Sequence, residues 1–453
     1  MGHSMLIKNN KGFTLVEMIV VMAVFVVVII LTGQSFNNIL SHAKRLMSSE
    51  ESNIEGVIGL EMMRHDLEQA GFGLPWVSMQ AFTAYDEAAH PSYSDLDLPK
   101  YLETSSDPHK LCNDGDPIPA TASTWRIPRA LVTLNNLAAQ GTTYAILDQT
   151  DYLAIKATSL GQNNAAQRWT YISYSGTSLG PVPRIPNTWI SANDNIPAGS
   201  RVIVTRRELV ANNGTDVYAP MLLYDPTSAS VQYFYQTYPA AGVALPQIVS
   251  PLNAEQMHYV YGVDDGDLRM PFNRVNYFIA RPSDSTKIPS NCAPNTGILY
   301  RTSVNHSNGA LTYMPVLDCV ADMQVVLGFN FDGTGSANVF ANADGSSISG
   351  KENRLPGSTV DIQQSDIVNT LKDASTLRDR LKTIKVYVLV QDGRRNPSYV
   401  YRNPKNGSQT IVVGGDGEAS LTHTYDIAGN NAVNYNWKVY QITAKPKNLA
   451  GYQ

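Results

Sequence analysis

The stretch KGFTLVEMIVVMAVFVVVIIL, residues 11–31, decides how the rest of the chain is read. Met18 to Leu31 is fourteen apolar residues without a break. Carried back to Phe13, the run is 19 residues long and interrupted only by Thr14 and Glu17. As a helix it spans roughly 28 Å at about 1.5 Å per residue, close to the hydrocarbon thickness of a bilayer. The many Val and Ile favour a strand in water, but in lipid a lone strand leaves its backbone groups unsatisfied, so the helix fits better. Lys8 and Lys11 precede the run and set the N-terminus on the cytoplasmic side by the positive-inside rule. A cleaved secretory signal needs a small-x-small site after the apolar core, and Leu31-Thr-Gly-Gln-Ser35 offers none that convinces. A plain signal anchor accounts for the length and the lysines but not for Glu17, whose charge costs up to about 2.5–3.5 kcal/mol within a span. An ionisable group at that depth points to function and calls for a partner.

The order Lys11-Gly-Phe-Thr-Leu-Val-Glu17 resembles the processing signal of type IV pilins and of the pseudopilins of type II secretion. The resemblance implies that a prepilin peptidase cuts between Gly12 and Phe13 and that Phe13 becomes the N-methylated first residue. It also implies that Glu17, fifth in the mature chain, meets the N-terminal amine of a neighbouring subunit in the filament. Basic leader, Gly-Phe junction, Glu spacing and apolar run coincide, and an opposite charge close by is what makes a buried carboxylate tolerable. Met1-Gly-His-Ser-Met5 reads as a vector-derived extension, with Met5 the natural start of an eight-residue leader.

Beyond Gly33 the helical pattern continues. Phe36, Leu40, Ala43 and Met47 recur every three or four residues, and Ile54, Val57, Ile58, Leu60, Met63 and Leu67 carry the stripe on. Glu50, Glu51, Glu55, Arg64, His65, Asp66 and Glu68 mostly fill the gaps, and Gly71-Phe-Gly73 with Pro75 gives the stop. One helix from Phe13 to about Ala70 is expected, roughly 87 Å long at about 1.5 Å per residue. Residues 13–33 are its membrane or filament-core half, and residues 34–71 are an amphipathic half that packs on a head. Gly33, Gly56 and Gly59 are weak points or sites of close packing.

Residues 72–453 read as a β-rich head, so the fold class is α+β with a long hydrophobic N-terminal helix. Residues 169–174, 201–205, 274–279, 297–301, 383–391 and 437–443 are expected strands. Ser365 is the expected cap of one helix carrying Ile367, Val368, Leu371, Ala374, Leu377 and Leu381 on one face. Residues 86–116, 261–267 and 330–351 read as loops, and residues 77–270 as an enlarged or inserted subdomain. Arg64-His-Asp-Leu-Glu-Gln-Ala-Gly71, Cys319-Val-Ala-Asp-Met-Gln-Val325 and Trp437-Lys-Val-Tyr440 through Pro446-Lys-Asn448 resemble pieces of the PilW group of minor type IV pilins.

Composition excludes several other classes. The chain has 453 residues, 34 Lys and Arg against 39 Asp and Glu, and a net charge of −5. Only 16% of residues are charged, against about 25% in a typical soluble domain, too few for a basic nucleic-acid binder or an acidic tail. Hydrophobic residues at 43% rule out wholesale disorder. Gly176-Thr-Ser178-Leu-Gly180 matches a nucleophile elbow as a string, but Pro181, Pro183 and Pro186 forbid the helix that must follow. Gly345 to Lys351 is one residue short of a P-loop, with Glu352 where a hydroxyl is needed. The eight His are scattered without a zinc-ligand pattern, and no enzyme is expected.

In the extracellular setting the resemblance implies, two oxygen-rich loops are candidates for calcium. One alternates Asp332, Thr334, Ser336 and Asn338; the other crowds Asp264, Asp265 and Asp267. Neither has the acidic twelfth position of an EF-hand loop. The same setting oxidises thiols, and of three cysteines Cys292 and Cys319 are the candidate pair, with Cys112 free. Cys112 paired to either one is the rival.

The expected function is that of a minor, PilW-like pilin near the filament tip. The resemblance implies an inner-membrane precursor with a periplasmic head, then a place in the extracellular pilus. Its partners would be the prepilin peptidase, other minor pilins, the major pilin, a tip adhesin and membrane lipid, with no nucleic acid. The alternatives are a minor pseudopilin of type II secretion and a membrane-anchored surface-binding protein.

Overall fold

Thr14 caps a single helix, α1, that runs Leu15–Gln69 in the computed structural model. The structure describes residues 14–76, 128–138, 143–174, 182–212, 215–224, 234–352, 357–415 and 419–449. The chain divides into two units, residues 1–54 and residues 55–453. In the first, Leu15–Gln34 forms a helical stretch of mean hydropathy 3.0 with none of its residues buried.

The second unit is a large β-rich head built on the last turns of α1. Its strands are β1 Leu131–Leu137, β2 Tyr144–Ile146, β3 Thr150–Ala157, β4 Trp169–Ser173, β5 Arg201–Asn212, β6 Thr215–Leu223, β7 Gln236–Thr237, β8 Met257–Asp264, β9 Asn273–Pro282, β10 Gly297–Val304, β11 Leu311–Phe329, β12 Val339–Asn342, β13 Ile348–Ser349, β14 Leu381–Asp392, β15 Thr410–Gly414, β16 Thr422–Asp426 and β17 Asn436–Ala444. Two short helices, α2 Gln364–Lys372 and α3 Ala374–Arg380, precede β14. Among the described residues the main sheet has ten strands, in the order β1-β3-β9-β10-β11-β12-β13, with β2 on β9 and with β14 pairing β11 and β17. A second sheet runs β4-β8-β5-β6, with β7 on β5, and β15-β16 is a separate hairpin.

The alternation of side chains along these strands explains the layers. One face of the main sheet, with Val275, Tyr277, Ile279, Met323, Val325 and Leu327, packs against Leu60, Met63 and Leu67 of α1 and Ala70 just after it. On its other face Phe278, Tyr152 and Tyr300 form one cluster, while Val326 and Leu389 meet Ile411 and Val413 of the β15-β16 hairpin in another. The central strands are therefore covered on both faces, which is why they read as near-continuous apolar runs.

Glycine sets how closely α1 approaches the sheet. A Cβ on Gly59 would lie 2.5 Å from the Val316 carbonyl oxygen, so only glycine fits there. Gly71 ends the helix with φ +84°, a left-handed conformation that favours glycine, and a Cβ there would strike Leu449 at 2.7 Å.

Several expectations are corrected. Val57 and Ile58 do not face the core but are 53% and 68% exposed. The buried face instead runs through Gly56, Gly59, Leu60, Met63, Asp66, Leu67 and Ala70, a steady progression by three or four. Residues 261–264 continue β8, and residues 330–351 contain β12 and β13. The single helix capped by Ser365 is two helices. Gln363 is the N-cap of α2, its N–H donating to Asp366 at 2.8 Å, and Asp373 ends α2 and caps α3 by accepting from the Thr376 N–H at 2.7 Å.

His306 gives the head a pH dependence. It is buried, accepting at Nδ1 from the Arg269 N–H at 3.2 Å and lying with Nε2 3.2 Å from Asn273 Oδ1. Burial pushes its pKa down to about 4, well below the ordinary value near 6.5. Between those values the unfolded chain binds a proton that the folded chain refuses. Stability contributed by neutral His306 is complete above pH ~6.5 and falls away toward pH ~4, a loss of up to roughly 3 kcal/mol. Denaturant titrations at both ends of that window should show the loss, and His306→Gln should flatten it.

Candidate functional site

The first turn of α1 carries a reciprocal cap. Glu17 Oε2 accepts from the Thr14 N–H at 2.9 Å and from Thr14 Oγ1 at 2.9 Å, while the Glu17 N–H donates to Thr14 Oγ1 at 3.3 Å. This is a capping box, in which the N-cap hydroxyl and the N3 carboxylate satisfy each other's backbone donors. The carboxylate also sits at the positive end of the helix dipole. Thr14 was the residue that sequence reasoning passed over as a mere interruption of the apolar run. The T-x-x-E spacing of Thr14 and Glu17 ahead of that run was the legible signal. Gly12 and Phe13 lie outside the described residues, as does Cys112.

Following Glu17, the side chains are ones that lipid or neighbouring helices accept. Ile19, Phe25, Ile29 and Leu31 are each more than half exposed. Thr32, the next polar side chain, donates its hydroxyl to the Val28 carbonyl at 2.7 Å, so it needs no water. An apolar surface of this extent is not stable in water and marks an interaction site. The segment can therefore insert in a bilayer or a helical filament core and offer a carboxylate near its N-terminal end.

In the head, Cys292 and Cys319 are joined, with Cα atoms 4.9 Å apart and a sequence separation of 27. A closed loop of that length stabilises by roughly 3–4 kcal/mol on the chain-entropy model. Cys319 has φ +53° and sits where the pairing of β10 with β11 slips by a residue, so the bridge holds a left-handed position inside a strand.

Asp66, read from the sequence as a gap-filling polar residue, is instead at the centre of the helix-to-sheet contact. Its Oδ2 accepts from Arg301 Nε at 2.7 Å and from the Tyr277 hydroxyl at 2.7 Å. Arg301 further donates to the Leu160 carbonyl at 2.9 Å. Its place three residues after Met63 on the buried face was the available signal.

The remaining candidates are kept apart by their partners. Asp332 accepts from the Thr334 N–H and hydroxyl at 3.0 and 2.7 Å, which closes a turn. Asp264 accepts from the Gly266 N–H and Asn163, Asp265 from Ser200, and Asp267 pairs with Arg201 at 2.8 Å. Among the described residues no group of three His, Cys, Asp or Glu converges in a way that could hold a metal ion. The stretch from Gly345 to Gly350 joins and includes β13 of a hairpin, and residues 176–180 lie outside the described residues. An Asp-His pair does occur, half-buried: His423 Nδ1 lies 2.7 Å from Asp322 Oδ2, and this contact raises the imidazole pKa. Its Nε2 is 3.1 Å from the Gln149 side-chain oxygen, an amide rather than a nucleophile.

Residues 7–33 match the family described as the prokaryotic N-terminal methylation motif. No curated protein and no solved structure matches the chain. The motif indicates a precursor of type IV pilin-like or pseudopilin kind, processed at its N-terminus.

Proposed function

We propose that the chain is a minor type IV pilin of PilW type, processed by prepilin peptidase and incorporated near the pilus tip, where it primes assembly with other minor pilins. The observation that carries this reading is a coincidence at one place. The methylation motif at residues 7–33 overlaps the Leu15–Gln34 stretch of α1, which has a mean hydropathy of 3.0, is unburied and carries a capping carboxylate in its first turn. Cleavage between Gly12 and Phe13 frees an N-terminal amine next to that helix, and methylation of Phe13 leaves it basic. Both bonds from Thr14 come to Oε2 of Glu17, so an ammonium from a neighbouring subunit is met through Oε1. In the low dielectric of a helical core such a pair offsets the desolvation that a lone carboxylate suffers.

The precursor sits in the inner membrane with its head in the periplasm and then passes to the extracellular pilus. A head as large as residues 72–453 suits a tip subunit better than the repeating one, whose packing favours small bodies. The major pilin, other minor pilins and a tip adhesin are its partners. Fractionation tests this. Sheared filaments should contain the chain at a small ratio to the major subunit. Recovery with an export secretin and absence from filaments would assign it to type II secretion instead.

A further inference from the structure

The β15-β16 hairpin packs on the outer face of the main sheet through a mostly apolar contact that includes one titratable ring. Val413 stands opposite His423 and Ile411 opposite Tyr425, so all four side chains share one face of the hairpin. Ile411, Val413 and Tyr425 join Val326, Tyr387 and Leu389 of the sheet in an apolar cluster. His423, whose side chain is 19% exposed, meets an oxygen atom at each ring nitrogen instead. Nδ1 lies 2.7 Å from Asp322 Oδ2 on β11. Nε2 lies 3.1 Å from Gln149 Oε1, in the turn before β3.

The network behind these two oxygens is itself bonded. Asp322 is buried, and its other oxygen accepts from Gln324 Nε2 at 2.9 Å. The same amide donates to the Gln149 carbonyl at 3.3 Å and to Asn136 Oδ1 at 3.2 Å, which ties down the turn that presents Gln149. A carboxylate and an amide oxygen only accept, whereas a neutral imidazole has one N–H donor and an imidazolium has two. The imidazolium is therefore the form that bonds to both oxygens. The hydrogen bond to Asp322 accordingly holds the ring's pKa above its ordinary value of 6.5. The other titratable groups near the contact are Tyr425 on the same strand and, behind Asp322, Asp151 of β3 and Asp344 in the β12-β13 turn. None of these is a cation, so none competes with the ring for Asp322.

We propose that His423 is a pH-operated latch: as an imidazolium it ties the β15-β16 hairpin to β11 and to the turn before β3 together, and on losing its proton it gives up one tie and lets the hairpin open more often. The latch stands independently of the pilin reading. It is fully closed below about pH 6.5, the ordinary value that the ring regains in the open hairpin, and it weakens as pH rises through the higher value of the closed form. His306 acts on the acid side of that value and with the opposite sign, so the two effects are read separately. Local opening is measured by hydrogen exchange of the full chain in detergent, followed by mass spectrometry and corrected for the intrinsic exchange rate at each pH. Peptides covering β15 and β16 should keep their protection up to about pH 6.5 and then lose roughly threefold or more by about pH 8.5, while peptides of β9 and β10 hold theirs. His423→Gln should give the same protection of the hairpin at both ends of that window, and Gln149→Leu should shrink the step. Nitrogen NMR of the chain labelled at histidine, with His423 assigned by its loss in His423→Gln, reads the ring directly. It should show both nitrogens protonated near pH 6.5. Hairpin protection that does not change across the window, an equal step in His423→Gln, or a ring that titrates at its ordinary value because the Gln149 amide donates to a neutral nitrogen overturns the proposal.

Discussion

An Asp66→Ala chain should lose roughly 3–5 kcal/mol of head stability, the cost of stranding one member of a buried ion pair. The side chains of Asp66 and Arg301 are 7% and 6% exposed, so removing the carboxylate strands a buried guanidinium. Tyr277 loses its acceptor as well. Burial, reinforced by the Asp66 charge, pushes the Tyr277 phenol well above its ordinary pKa, so it stays protonated and donates to that carboxylate. Asp66→Asn keeps the hydrogen bond but not the charge and should recover only part of the loss. The double change Asp66→Leu with Arg301→Met removes both charges and should restore most of it, because an apolar pair of similar volume often matches a buried ion pair. Urea unfolding of the full chain in detergent measures all of these. A loss below about 1 kcal/mol for Asp66→Ala would mean the pair lies in a far wetter setting than its geometry implies.

The second large effect falls on assembly. Glu17→Val should leave cleavage and head stability unchanged and reduce recovery in sheared filaments by roughly tenfold or more, as expected when one partner of a desolvated pair is removed. Glu17 bonds to Thr14, so the head has nothing to lose. Thr14→Ala separates two roles for the carboxylate. If capping were its whole purpose, Thr14→Ala would match Glu17→Val, since loss of an N-cap costs about 0.5–2 kcal/mol. If intersubunit pairing dominates, Thr14→Ala should assemble nearly as well as the wild type.

The most legible parts of the chain were those in which one physical requirement governs many neighbouring residues. Fourteen consecutive apolar residues after Glu17 admit little but a helix in an apolar setting, and α1 starts two residues from where that run predicts. Alternation in β14 and the aromatic and branched residues of β17 put both strands within two residues of their expected ends. What escaped depends on tertiary partners. Asp66 looks like any surface carboxylate until Arg301, 235 positions later, is brought beside it. Val57 and Ile58 look like core until the close approach at Gly59 fixes which face meets the sheet. β11 is 19 residues long, but its first five residues are not buried and include Pro315, so its start did not read as strand. A cavity lined by residues of β4, β5, β6, β8, α3, the turn after α1 and Lys447–Asn448 escaped too, because no local motif announces parts so far apart in the chain.

The most direct measurement is the intact mass and N-terminal peptide of the chain recovered from an envelope with an active prepilin peptidase. The account predicts a chain that begins at Phe13 and carries one added methyl group, and an uncut N-terminus in the Gly12→Ala variant. A wild-type chain that keeps Lys11 and Gly12, or is cut beyond Leu31, would contradict it.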